Sequence, residues 1–372
     1  MLIPADEQLI HQVGRPMMQT TVSDHRFFDR HWFSGAHPEG KLAFILGMGA
    51  YRNVNVLDGF LSVQHAMKQH NLRVSRVWRP QIQTTVAPLS IEVVEPFRHI
   101  RLTVDENPHG LACALDWRSH HALHVEDHHL DVIGGMITQD STRYDQAGRV
   151  DGWIMVDGER HAVENWWGVR DHSWGVRPGV GGFEPQRGDH SLQAAPQAAD
   201  QLRLWLWACF TGEDYSCQFQ QQEDVRGRRM RLDGELLHLP GSGKTDLEVV
   251  DLEHDIRFFS GTHALEWLRY RVTLSDDSRL DIEAEPLVRA WAYRGTGYDR
   301  GYRDGRGLGA QRGNPPPEYD IYDLSHPEIV RDAAGAVIGP GHREQPVAVT
   351  VNGRRGCGYF PVMVFETLIG MA

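Results

Sequence analysis

Cysteine is scarce in this chain, and so are the patterns that give cysteine a task. Cys113, Cys209, Cys217 and Cys357 are the four present. No two form a CxxC pair, which favours reduced core or strand thiols in a cytoplasmic protein over disulfides or a zinc site. Also missing is any run approaching the ~20 apolar residues of a membrane-spanning helix, so no integral membrane segment is expected. The stretch from Met1 to Gln19 lacks a cationic start followed by an apolar run, so no signal peptide is expected either. Basic charge is outnumbered: 38 Lys and Arg face 50 Asp and Glu, a net charge of -12. No basic stripe stands out, which argues against a nucleic-acid partner.

Helical periodicity is the next thing in short supply. Only Glu7 to Gln12 and His326 to Asp332 are expected to form short helices. What fills the chain instead is short alternating or apolar runs rich in β-branched and aromatic residues, such as Leu42 to Leu46, Val54 to Val63, Leu202 to Phe210 and Ala264 to Leu274. They predict a mostly β, antiparallel protein. Asp58-Gly59, Asp157-Gly158, Asp233-Gly234 and Asn352-Gly353 are read as tight hairpin turns. Sequential strands of this kind suggest barrels or sandwiches whose interiors hold a ligand. At 372 residues the chain exceeds the size at which one core stops growing, and its pattern fails between Glu184 and Asp200. Two domains are expected, 1-190 and 191-372. A second irregular stretch, Arg294 to Pro317, carries Tyr298 and Tyr302 and follows Tyr293. So long a loop in a compact domain is either disordered or functional, and its tyrosines favour packing over a pocket.

The densest chemistry lies in Trp166-Trp167-Gly168-Val169-Arg170-Asp171-His172-Ser173-Trp174-Gly175-Val176-Arg177. Nearly every position carries a side chain that is costly to bury unless paired or used. On a strand, Arg170, His172 and Trp174 share one face, and Asp171, Ser173 and Arg177 share the other. Asp171 is the first candidate for acid/base work. Burial against Trp166, Trp167 or Trp174 would raise its pKa, whereas pairing with Arg170 or Arg177 would keep it ionised and make His172 the better proton carrier. The residues alone leave both open.

Other patterns carry less. His120, His124, Glu126 and His128 would share a strand face at a spacing that admits zinc or iron. A polar strand edge yields the same letters, and no HExxH or paired-cysteine signature supports a metal; none is assigned, and no cofactor is expected. Gly241-Ser242-Gly243-Lys244-Thr245 ends like a phosphate loop but lacks its first glycine and strand-helix setting, and is read as a hairpin tip. No GxSxG elbow accompanies Ser173.

At Gly168-Val169-Arg170-Asp171-His172-Ser173-Trp174-Gly175, and again at Gly353-Arg354-Arg355-Gly356-Cys357-Gly358-Tyr359 leading into Phe365-Glu366, the chain resembles a bacterial group of tandem lipocalin-like proteins. That group is similar to the hydroxyneurosporene synthase, or carotenoid 1,2-hydratase, superfamily. The resemblance implies two consecutive antiparallel lipocalin-like barrels or half-open barrels packed together, with an apolar cavity. Its wider relatives include enzymes that hydrate isoprenoid double bonds and lipocalin-like Diels-Alderases. This chain departs from a membrane-associated carotenoid enzyme in lacking an amphipathic anchor.

The expectation is therefore a cofactor-independent acid/base enzyme, a hydro-lyase or isomerase. It would act on a small hydrophobic substrate, isoprenoid or aromatic, by hydration, dehydration, isomerisation or cyclisation. Asp171 and His172 would handle protons, with Arg170 and Arg177 orienting a carboxylate or tuning Asp171. Trp166, Trp167, Trp174, Tyr298 and Tyr302 would wall the pocket, and Glu366 is a second carboxylate near it. The alternative is a non-catalytic carrier of a hydrophobic metabolite. The sequence is silent on oligomeric state.

Overall fold

The computed structural model describes residues 7, 9, 14–78, 84–133, 135–182, 202–338 and 344–365. The irregular stretch Glu184 to Asp200, Glu366 and most of Glu7 to Gln12 lie outside the described residues. Twelve strands come first: β1 (Phe27–Ala36), β2 (Leu42–Tyr51), β3 (Val56–His65), β4 (Lys68–Val77), β5 (Thr85–Val86), β6 (Leu89–Glu95), β7 (His99–Val104), β8 (Ala112–Arg118), β9 (His124–Val125), β10 (His129–Ile133), β11 (Met136–Val156) and β12 (Glu159–Val176). Ten follow: β13 (Leu202–Thr211), β14 (Tyr215–Asp224), β15 (Arg229–His238), β16 (Leu247–Phe258), β17 (Leu265–Leu274), β18 (Arg279–Pro286), β19 (Glu318–Asp323), β20 (Pro346–Val351), β21 (Arg354–Tyr359) and β22 (Val362–Val364).

They form two antiparallel sheets. The first runs β19-β4-β3-β2-β1-β12-β11-β8-β7-β6-β5, with β9 and β10 both on β11, and stays open as a curled half-barrel. In the second, β14-β15-β16-β17-β18-β20-β21-β13 closes through the β13–β14 pair into an eight-stranded barrel, with β22 on the outer flank of β13. This is the mostly β, half-open-plus-closed architecture that the strand pattern and the resemblance led us to expect. One strand crosses over: β19 pairs with β4, joining residues 318–323 to the first sheet. Among the described residues no helix is long and apolar enough to cross a membrane.

Strand alternation decides where the cores sit. Phe33, Phe44, Leu46, Leu102, Leu115 and Trp117 fill the first sheet's concavity. Leu204, Leu206, Ala208 and Phe210 of β13 point into the barrel with Phe219 and Tyr270. The opposite faces meet: Trp32, Ile45, Phe60, Trp167 and Val169 pack against Trp207, Cys209, Tyr293 and Tyr359. Tryptophan and tyrosine dominate this seam between the sheets.

Three local expectations need correction. Asp58-Gly59 and Asp233-Gly234 lie inside β3 and β15 rather than in turns; at Gly234 a Cβ would stand 2.4 Å from Phe219 Cβ on the neighbouring strand, so glycine here serves close strand approach. Asp157-Gly158 and Asn352-Gly353 are turns. His326 to Asp332 is not helical: His326 Nδ1 accepts from the backbone N–H groups of Glu328 and Ile329 at 3.1 and 2.9 Å, and Arg331 forms isolated bridges with Asp323 and Val337. Thirdly, the described cavity that gathers the motif lies between the sheets and not inside a barrel, because both interiors are packed with side chains.

Candidate functional site

The cavity encloses about 450 Å3 and its floor is a three-strand patch of the first sheet. Register explains its composition. Across β1, β12 and β11, Trp32 pairs with Asp171 and Asp171 with Asp145; one pleat along, Arg30 pairs with Ser173 and Ser173 with Arg143. A further pleat brings Phe28, Gly175 and Ser141 into line. Because alternate residues share a face, two aspartates beside an indole and two guanidinium groups beside a serine project the same way. Trp205, Trp207, Tyr293, Tyr298, Tyr359 and Glu344 close the space from the second half of the chain.

Asp171 lies where the motif's alternation put it, together with Ser173 and Arg177, which also line the cavity. Ser173 Oγ is 3.5 Å from Asp171 Oδ1, a long contact. No salt bridge among the described residues includes Asp171. Burial pushes its carboxyl up; Arg143 and then Arg30 pull it down, Glu126 and Glu344 add to the rise, and the outcome is a raised pKa. The cations that tune it are therefore not its sequence neighbours.

Arg170 borders the cavity but spends its guanidinium elsewhere. Its Nε and Nη2 donate to Gln146 Oε1 at 3.1 and 3.0 Å, its Nη1 to Tyr144 Oη at 3.2 Å, and it lies over the Trp117 ring at 5.0 Å. His172 is on the same far face: Nε2 is 2.8 Å from Asp29 Oδ1, Nδ1 is 3.1 Å from Tyr144 Oη, and the ring stands 4.1 Å from that of His31. Trp174, 37% exposed, flanks His172 at 5.3 Å. Arg177 lies over Phe28 and Tyr298 at 5.7 and 5.6 Å.

The remaining sequence candidates divide. Tyr298 lines the cavity, 5.4 Å from Tyr293. Trp167 supports it from the inter-sheet core, whereas Trp166 belongs to the first sheet's interior. Tyr302 packs away from the cavity with Tyr51, Val56 and Leu308, beneath Arg312 at 3.6 Å. The long loop thus contributes one tyrosine to the site and one to its foundation. The histidine run disperses: His124 goes to Glu235 at 2.8 Å, His128 to Asp140 at 2.9 Å and His129 to Asp131 at 3.1 Å. Among the described residues no three His, Cys, Asp or Glu side chains are grouped to hold a metal ion.

Several residues of the cavity were not assigned to it from the sequence, Glu126 having entered only as a candidate metal ligand. Arg30 is buried, with Nη1 donating to Tyr51 Oη at 3.2 Å and its guanidinium 4.8 Å from the Tyr298 ring. Glu126 accepts from Trp207 Nε1 at 3.1 Å and lies 3.5 Å from Arg143. Asp145 is buried, hydrogen-bonded by Gln218 across the seam. Burial and the neighbouring Glu126 charge push Asp145 well up. Burial would raise Glu126 too, but Arg143, the hydrogen bonds and His124 outweigh it and hold Glu126 low. The two neighbouring carboxyls are therefore pushed in opposite directions, Glu126 down and Asp145 up. Alternation in Phe28, Arg30, Trp32 and in Arg143, Asp145 was the available signal; only the register tied it to Asp171.

The geometry amounts to a ring-walled cavity holding two raised carboxyls, Asp171 and the Gln218-bonded Asp145, neither in a salt bridge among the described residues, beside guanidinium groups. It can move a proton beside a largely aromatic wall. The chain matches, over residues 2–315, the family described as "Family of unknown function (DUF8625)". No curated protein matches its sequence. Among solved structures, a Nitrosomonas europaea protein given the provisional name AttH is similar at 15% identity and a TM-score of 0.52, covering 91% of this chain and 92% of that one. Kievitone hydratase from Nectria haematococca is 12% identical, with a TM-score of 0.44 over 91% and 89% of the two chains. CghA is 10% identical, with a TM-score of 0.47 over 92% and 89%. The first of these likenesses speaks for the fold.

Proposed function

For this chain, which belongs to the DUF8625 family of unknown function, we propose an acid/base enzyme that works with its own side chains on a small hydrophobic molecule, isoprenoid or aromatic. Hydration, dehydration, isomerisation and cyclisation are the reactions within reach of one proton carrier in an aromatic enclosure. The observation that carries this reading is Asp171. Its carboxyl enters the cavity without a salt bridge among the described residues, and burial favours its protonated form. A carboxylic acid kept neutral above its ordinary range can deliver a proton that an exposed aspartate has already lost.

The supporting residues follow from position. Ser173 and Arg143 border the acid on the same face. Trp32, Trp205, Trp207, Tyr298 and Tyr359 supply ring faces and edges, which favour an apolar substrate body and interact with developing positive charge by about 0.5 to 2 kcal/mol per contact. His172, on the far face with Asp29, is assigned a positioning role through β12.

The aromatic enclosure would equally serve a carrier, so the test must separate binding from turnover. Native mass spectrometry of the purified protein, organic extraction and identification of the bound compound come first, with Asp171→Asn in parallel. The proposal expects the variant to hold the compound while turnover falls by about 10²- to 10⁴-fold, the range for a lost general acid. A compound that both proteins bind and neither converts would favour the carrier.

A further inference from the structure

The floor of the cavity is rich in donors that have nothing to donate to. Arg30 is 3% exposed and Trp32 7%; both line the cavity. Among the described residues, Arg30 Nε and Nη2, Trp32 Nε1 and Arg143 Nε are buried without a hydrogen-bond partner. Four orphaned N–H groups on adjacent positions of one sheet face are costly, since each loses water without compensation. Such a cost persists when an acceptor arrives with the ligand.

The register gives these donors a shape. Arg30 and Arg143 flank the small Ser173, one on each neighbouring strand, and Gly175 continues the low centre one pleat further. The result is a trough with guanidinium groups on its banks and a hydroxyl in its bed. Trp32, opposite Asp171, closes one end, and Arg177 lines the cavity just beyond β12.

Asp171 apart, each carboxyl around the trough has at least one hydrogen-bond partner. Glu126 faces Arg143 at 3.5 Å and accepts from Trp207. Asp145 is taken by Gln218. Glu344 accepts from Tyr293 and, at 3.3 Å, from Tyr359. Asp58, buried behind Arg30, accepts from Gly309 N at 2.7 Å, and no salt bridge joins it to Arg30 among the described residues. Arg30 Nε and Nη2 are therefore left without a hydrogen-bond partner among the described residues.

We propose that the molecule this cavity accepts is an organic carboxylate with an apolar body, whose anionic group is received by Arg30 over Ser173, with Arg143 opposite and Trp32 at its end. The inference rests on the enzyme reading only for what happens next, because it places the charged end of the substrate one pleat from Asp171. Guanidinium matches a planar carboxylate with two parallel hydrogen bonds, which a lysine does not. The reacting carbon would then lie near the carboxylate, so that Asp171 would protonate or deprotonate an unsaturated acid.

The test uses the full chain and calorimetric titration with a matched pair, 1-naphthaleneacetate and 1-naphthaleneacetamide. These share an aromatic body and differ in charge. The wild type is expected to bind the acid tighter by about tenfold or more, the worth of a charge-assisted hydrogen bond. Arg30→Met should bring the two affinities together. Arg30→Lys, which keeps the charge and loses the fork, should reduce the preference and decides the point if the methionine variant does not fold. Asp171→Asn should keep the preference whether or not the protein turns anything over, so failure of the enzyme reading leaves this result intact. Equal affinities in the wild type, or a preference undiminished in both Arg30 variants, would overturn the proposal.

Discussion

His172 Nε2 lies 2.8 Å from Asp29 Oδ1 on the face of β12 turned away from the cavity that Asp171 lines. Adjacent residues thus serve separate environments, one a cavity and the other a half-exposed cluster of imidazoles and a carboxylate. The same division separates Arg170, committed to Gln146 and Tyr144, from Arg177.

His172→Gln should consequently cost stability and spare chemistry. The Asp29 pair is partly exposed, 23% and 37%, so a loss of about 1 kcal/mol or less is expected in urea unfolding. Turnover of the extracted compound should change by only about threefold, against about a hundredfold or more for Asp171→Asn. If His172→Gln abolished turnover in a protein of unchanged stability, His172 would have to reach the substrate.

The pH profile should carry the signature of Asp171. Burial raises its pKa despite Arg143 and Arg30, so its protonated form survives to higher pH than that of an exposed aspartate. With the neutral acid as the active form, kcat/KM should fall as pH rises through that raised value, with a limb above the usual carboxylate range that Asp171→Asn lacks. A rise over the same interval would identify the ionised form as a base instead.

A second pH effect should concern stability and arise at the seam. His124 is 3% exposed and its Nδ1 lies 2.8 Å from Glu235 Oε2. Burial lowers its pKa, but Glu235 and Asp233 outweigh burial and leave it raised; His124 in turn holds Glu235 low. A raised histidine adds stability that is complete below its unfolded value of about 6.5 and is lost as pH climbs through the folded one. Glu235 must be ionised for this, which sets the acidic edge of the window. His124→Gln should therefore lower Tm most near pH 5.5, by roughly 2 kcal/mol of stability, and least near pH 9. A pH-independent difference would mean that the contact acts through packing alone.

Gly152 should tolerate no side chain. It sits at the irregularity in β11 between Val150 and Gly152, with φ at +133° and a virtual Cβ 2.0 Å from Ala114 O. Gly152→Ala is expected to cost about 2 kcal/mol or more, measured as a shifted urea midpoint. Gly158→Ala, at a turn with open space around it, should cost about 1 kcal/mol. Equal losses would remove steric conflict as the cause.

Period-two alternation was legible wherever a strand was long enough to show it. It separated Asp171, Ser173 and Arg177 from Arg170, His172 and Trp174 without any coordinates. What it does not contain is register. Nothing near Arg30 or Asp145 in the sequence says that each lies beside the motif, because the pairing of β1 and β11 with β12 is a long-range fact. The cavity's place between the sheets was hidden for a related reason: Trp205 and Trp207 alternate with Leu204 and Leu206 on β13, and the sequence does not say which set faces the barrel. At Asp58-Gly59, turn chemistry competed with strand pairing and lost, since the tertiary contacts of β3 extend on both sides of it.

The return of β19 to the edge of β4 also imposes an order on events during synthesis. His70 and its hydrogen-bond partner Tyr319 are separated by 249 residues. At about 5 to 20 residues per second, the ribosome needs roughly 12 to 50 s to make that span. Throughout it, the β4 edge has unpaired N–H and C=O groups and no strand of its own to meet them, a template for association with other chains. Nascent polypeptides crowded on one message would be most exposed to one another in that interval, and a chaperone that shields strand edges would have its work there.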